Sequence, residues 1–225
     1  MDTAFAAAVV TSYALVVAFT TLPILSVLAI LLGTRRASRG LWYALGYAGG
    51  LAIVFFVATL GVDRVPLIRR FHPSGLFNLV AGLLLILVAV LWWIWDRRKK
   101  ARGGASPTSS SKFLDWMGTL GPFSCAMVGF QFAFHPENLV LTIAAAGQVL
   151  NLRFVPATVV MVWFCAIGVS TVAVPSLIYA RSGERARAWL ESVRDWLQAN
   201  GTTITVTLLF VVGLVLTVVG LYQKW

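Results

Sequence analysis

Six long apolar runs separated by short polar or basic connections dominate the chain: Phe5–Leu32, Leu41–Leu60, Leu76–Trp95, Phe123–Leu150, Phe154–Tyr179 and Thr202–Tyr222. A helix that crosses the hydrocarbon core needs about 20 mostly apolar residues, and each run reaches that length. None alternates with a period of two, so a barrel of lipid-facing strands is not predicted. The pattern predicts an all-α polytopic membrane protein with six transmembrane helices. The first run is too long for a cleaved leader and Met1–Ala4 lacks a basic start, so it reads as a retained helix.

The connections carry the orientation. Those after the first, third and fifth runs hold thirteen of the 18 Lys and Arg residues: Arg35, Arg36 and Arg39; then Arg97 to Lys112; then Arg181, Arg185, Arg187 and Arg194. The opposite side holds Arg64, Arg69, Arg70, Arg153 and Lys224. Basic residues favour the cytoplasmic face. The expected protein is therefore a multi-pass component of a bacterial cytoplasmic membrane with both termini extracytoplasmic. Trp92, Trp93, Trp95, Trp116 and Trp225 fall near run boundaries, where interfacial tryptophans belong.

Residues 96–117 form a basic, then Gly/Ser-rich segment, read as a flexible cytoplasmic linker able to touch anionic headgroups. It divides a single transmembrane domain into two three-helix halves, 1–95 and 118–225. Three is an odd number, so equivalent halves would be inverted, the plan of many secondary transporters. Within the second half, residues 183–199 place Ala186, Trp189, Leu190, Val193, Trp196 and Leu197 on one helical stripe. That pattern predicts an amphipathic helix on the cytoplasmic membrane surface.

Composition sharpens this picture. The chain is 59% hydrophobic and only 12% charged, with a mean hydropathy of +0.86. Soluble domains average about a quarter charged residues. The net charge of +10 lies in the connections, not on one folded face, so nucleic acid is not an expected partner. Cys125 and Cys165 lie inside apolar runs and read as small buried hydrophobes. No metal-ligand spacing and no P-loop occurs, so no metal or cofactor is implied and ATP hydrolysis is not supported.

The fourth run is the most informative. As one straight rod it would measure about 42 Å against a core of about 30 Å. Near its middle stands His135-Pro136-Glu137-Asn138. Proline removes a backbone donor and clashes with the preceding turn, so the helix is expected to break at Pro136. Free backbone groups at membrane depth are tolerated only against protein or a water-filled cavity. Glu137 is the one acidic residue well inside a run. It could serve in a substrate or ion pathway, or it could cap the second half-helix through the dipole. Gln131, His135, Asn138 and Thr142 are spaced four, three and four, one polar stripe of a continuous helix, and His135 has the chemistry of a proton relay.

Thr20, Thr21 and Ser26 surround Pro23 in the first run, and Ser170, Thr171 and Ser176 surround Pro175 in the fifth. Pro23, Pro136 and Pro175 are the expected breaks or hinges. The hydroxyls would satisfy freed carbonyls, with Thr20 and Thr21 also candidates to line a pathway. Gly46, Gly49 and Gly50 predict close helix packing in the second run.

The segments LPILSVLAILLGTRRASRGLWYALGYAGGL (Leu22–Leu51) and FHPENLVLTIAAAGQVL (Phe134–Leu150) resemble the GAP/Sap proteins. These are the peptidoglycolipid- and sulfolipid-addressing proteins of the LysE transporter superfamily. Pro136, Asn138 and Leu139 match the family's Asn-Pro-Lys-Asn-Leu-like segment, while His135 and Glu137 reverse the charge that flanks the proline. The resemblance implies export or translocation of cell-envelope glycolipids, or of smaller polar solutes. A non-transporting assembly partner of a larger exporter and a membrane thiol-redox protein are the alternatives. Enzymatic activity is not expected. The expected partners are membrane lipids and a lipid or small-solute substrate, with a homodimer or a larger exporter left open as the assembly.

Overall fold

The computed structural model describes residues 3–62, 75–101, 116–117, 119–149, 152 and 154–222. The outer loop with Asp63 and His72 lies outside the described residues, as do linker residues 102–115 and Arg153. Among the described residues the chain is helical and contains no strand. The helices are α1 (Thr3–Ala18), α2 (Thr21–Thr34), α3 (Ala37–Val62), α4 (Gly75–Ala101), α5 (Pro122–Ala133), α6 (Pro136–Gly147), α7 (Phe154–Ser182) and α8 (Arg187–Tyr222). A short 3-10 turn, Gly183–Ala186, joins the last two.

Two stretches are long and apolar enough to cross a membrane: Ala37–Leu60 in α3, and Pro156–Gly201, which runs from Pro156 of α7 into α8 as far as Gly201. The pair α1 and α2, bent by 49° at a short break, makes a third if it is one span. Shorter apolar stretches run over Gly82–Trp95 in α4 and Thr203–Val215 in α8. The fourth run is divided into two helices of 12 residues each. Large apolar side chains stand exposed on many helices, among them Leu45, Phe56, Val140, Val162 and Phe210. A soluble protein rarely exposes so much contiguous apolar surface, whereas lipid covers it.

Helix directions follow from which residues meet. Ordered pairs Thr11–Trp163, Val17–Gly168 and Ala18–Thr171 set α1 and α7 side by side and parallel. Gly46 lies against Ala126 and Gly50 against Ala133, so α3 and α5 also run parallel. Gly82 meets Thr217, while Ala89 and Trp93 share a groove with Val206 and Phe210, so α4 and α8 run antiparallel.

Glycine makes these crossings close. A Cβ at Gly46 would overlap the Ala126 carbonyl, and one at Gly129 would overlap the Tyr43 carbonyl. Backbone therefore touches backbone between α3 and α5, the close approach that small residues permit in lipid. Gly49 faces open space, so only Gly46 and Gly50 of the expected trio pack. Gly82 and Gly213 face each other across the α4–α8 crossing.

Three elements differ from the sequence expectation. The break in the first run falls at Phe19–Thr20, and Pro23 sits inside the first turn of α2. The amides of a first turn have no intrahelical partner, so proline costs little there and marks where the helix resumes. Pro175 lies inside α7, which continues through it unbroken. The 183–199 segment is not a separate surface helix: from Arg187 it continues through the sixth apolar run as one helix of 36 residues. The only weak point, Gly201, is held against Thr21 of α2, and one glycine costs a helix about 1 kcal/mol, too little to end it. On that segment Ala186, Leu190 and Leu197 are buried against the protein, while Trp189 and Trp196 are exposed.

Candidate functional site

The two interrupted runs meet at their breaks. A helix end leaves carbonyls without intrahelical partners, and in lipid each must be satisfied by protein. The last carbonyl of α1, Ala18, accepts a hydrogen bond from the Thr171 hydroxyl of α7. In the last turn of α5, the Phe132 carbonyl accepts from Asn138 Nδ2 at 2.9 Å. The Thr20 hydroxyl lies 3.2 Å from the Val16 carbonyl and 3.3 Å from Asn138 Oδ1. It has one proton and serves one of these acceptors at a time. Asn138 thus joins both breaks, 118 residues apart in sequence from Thr20.

Around this junction lies a set of buried polar side chains. Asn138 and Thr142 are fully buried, and Thr20 and Ser26 nearly so. Tyr13 from α1 and Tyr43 and Tyr47 from α3 are each at most 1% exposed. Tyr47 faces Asn138, and Tyr43 faces Ser26. Neither phenol completes a hydrogen bond, and the hydroxyls of Tyr13 and Thr142 have no partner among the described residues. Buried polar atoms are almost always bonded, and each orphan costs about 1–3 kcal/mol. The orphaned hydroxyls of Tyr47, which faces Asn138, and of Thr142, one turn along α6, mark a place that a polar group or water can complete.

The residues of the HPEN segment divide between this interior and the surface. His135 caps the start of α6 without a side-chain bond, and its Nδ1 is buried and unpartnered among the described residues. His135 and the exposed Gln131 line a groove of about 340 Å³ with Trp116, Met117 and Val128. Pro136 is the first residue of α6, and Glu137 lies half-buried in its first turn, where the helix dipole favours a carboxylate. Gln131 and His135 therefore face outward and Asn138 and Thr142 inward, because the break interrupts the stripe that a continuous helix would have made. Thr21 is half-buried against Gly201 of α8.

The three tyrosines are the residues that sequence reasoning missed. Tyr43 and Tyr47 are one helical turn apart and interleaved with Gly46 and Gly50. Tyr13 is two turns before Thr20. That spacing alone does not separate them from ordinary packing. Thr171 was expected to relieve a kink at Pro175, whereas it serves the broken end of α1. Cys125 and Cys165 are both free thiols. Among the described residues no cluster of metal-ligating side chains occurs.

An all-helical membrane protein, with interrupted helices meeting at a buried polar junction, is the class that this fold and site define. The family model described as Sap, sulfolipid-1-addressing protein, matches residues 10–222. The match covers nearly the whole chain, and the protein belongs to that family. No curated protein and no solved structure matches it.

Proposed function

We propose that this chain is a membrane transporter that exports or translocates cell-envelope glycolipids, or a related polar solute, by alternating access of two inverted halves. The family's link to sulfolipid addressing supports a lipid-related membrane role. The observation that carries the reading is the junction of Thr20 and Asn138, ringed by buried hydroxyls without partners. A sugar or acidic headgroup offers the donors and acceptors that these hydroxyls lack.

Six crossings in two inverted halves account for the helix directions. The first and fifth crossings would run the same way, as α1 and α7 do. The second and fourth would match, as α3 and α5 do, and the third and sixth would oppose, as α4 and α8 do. Each half would open with a broken span that resumes on a proline in its first turn, Pro23 or Pro136. Such discontinuous helices meeting at the repeat interface form the substrate sites of many secondary transporters. The fully buried Asn138 fits an occluded conformer, and rocking of one half against the other would open the junction to either side.

In this reading Thr20, Asn138 and Thr142 contact the headgroup, and Glu137 and His135 flank the break where a proton could be exchanged. Gln131 lines the approach from the lateral groove, and Thr21 opens α2 next to Thr20. The test uses purified protein in liposomes with a labelled acidic glycolipid. Wild-type protein moves it between leaflets. Asn138→Leu and Glu137→Gln stop movement while the protein still accumulates in the membrane. Wild-type rates in Glu137→Gln at several pH values remove that carboxylate from the mechanism. No translocation by wild-type protein across anionic and neutral glycolipids favours the assembly-partner reading.

A further inference from the structure

A second polar feature lies away from the junction, at the corner between α7 and α8. Ile178, Arg181, Ser182, Arg185, Ala186 and Trp189 line a groove of about 450 Å³. The turn is made by Gly183, whose φ of +53° suits a residue without Cβ, and it brings the two arginines to one wall. The neighbouring charges are spent on one another. Arg187 donates to Glu191 at 2.8 Å and pairs with Glu184 at 3.7 Å, and Tyr179 donates its hydroxyl to Glu184 at 3.3 Å. Arg194 pairs with Asp195. Among the described residues neither Arg181 nor Arg185 has an acidic partner, so the groove holds two uncompensated positive charges.

Below the arginines the same face of α7 is apolar. Val174 and Leu177 are exposed, and they stand one to two turns from Arg181 along that face. Trp189, also exposed, forms the rim. The order is therefore an apolar strip, a pair of fork-shaped cations and an aromatic edge, which is the profile of an acidic amphiphile. Guanidinium binds sulfate and phosphate through paired hydrogen bonds, and tryptophan prefers the headgroup level. Gly40, in the first turn of α3, lies against Ser176 of α7, so the basic α2–α3 corner with Arg35, Arg36 and Arg39 stands nearby.

We propose that Arg181, Ser182 and Arg185 form a binding site for the sulfate or phosphate headgroup of an anionic lipid, with its acyl chains lying along α7 past Leu177 and Val174. The site stands whether or not the Thr20–Asn138 junction carries substrate.

The test reads binding, not movement. Purified protein in neutral detergent is titrated with phosphatidylglycerol, sulfated galactosylceramide, phosphatidylcholine, inorganic sulfate and inorganic phosphate, with lipid adducts counted by native mass spectrometry. Both acidic lipids are expected to bind at least about tenfold more tightly than phosphatidylcholine or the free ions. Arg181→Gln/Arg185→Gln and, separately, Ser182→Asp are expected to lose at least about tenfold in that binding with an unchanged melting temperature. Arg97→Gln/Arg98→Gln, on α4, keeps it. Wild-type binding by both groove variants overturns the proposal. So does an equal loss in the α4 variant, which would mean general charge attraction. Saturation by free sulfate or phosphate at lipid concentrations would make this an ion site and overturn it also.

Discussion

Asn138 shows how much one side chain can hold. Its amide nitrogen serves the Phe132 carbonyl and its oxygen faces Thr20, so both broken runs depend on it. Asn138→Ala removes the side-chain donor to the Phe132 carbonyl, which keeps only the His135 amide at 3.2 Å, and opens a cavity, at an expected cost of about 1–3 kcal/mol. Thermal unfolding in detergent measures that loss. Asn138→Leu fills the volume but supplies no donor, so it is expected to be no better. Thr171→Val keeps the shape of Thr171 and removes the donor to Ala18, with an expected cost in the same range. The importance of Asn138 was legible because a polar residue behind a proline in an apolar run has few bland explanations. The tyrosines were not legible, because an aromatic residue in an apolar span looks like ordinary packing until its hydroxyl is found buried. The partnership of Thr20 with Asn138 is carried by no local pattern at all.

At the scale of elements, proline placement decides what each helix does. Pro136 and Pro23 begin helices, and Pro175 rides inside one. The fourth-run break was legible because proline and a polar cluster coincide there. The first break was expected at Pro23 and lies three to four residues earlier, because proline fits a helix's first turn, whose amides have no intrahelical partner. The glycine crossings make a sharp contrast. Gly46→Ala and Gly129→Ala force Cβ atoms into neighbouring backbone and are expected to destabilise by about 1–3 kcal/mol. Gly49→Ala meets open space on an exposed helix face and is expected to be neutral or to stabilise by up to about 1 kcal/mol. Denaturant titration in micelles separates these variants. The length of α8 was hidden for a related reason: the charge pattern of 187–199 and the apolar run after it suggest two elements, yet only Gly201 lies between them to end a helix.

For the whole molecule, the proposed topology puts the α2–α3 corner and the α7–α8 corner on one side of the membrane. Gly40, in the first turn of α3, lies against Ser176 near the end of α7, so these corners are neighbours. With both native cysteines replaced, single cysteines at Ser38 and Ser182 are expected to react only with a thiol reagent admitted to the cytoplasmic side. A cysteine at Thr3 is expected to react from outside. Opposite labelling of Ser38 and Ser182 would break the six-crossing arrangement. The way the breaks are satisfied also bears on how the chain is made. The carbonyl of Ala18 waits for a hydroxyl 153 residues downstream, and Thr20 waits for an amide 118 residues away. In the proposed topology the first span enters the bilayer during synthesis well before either arrives. On that topology it would leave the ribosome's insertion machinery with an unmet acceptor, and it would reach its final bent form only after α7 has been threaded in beside it.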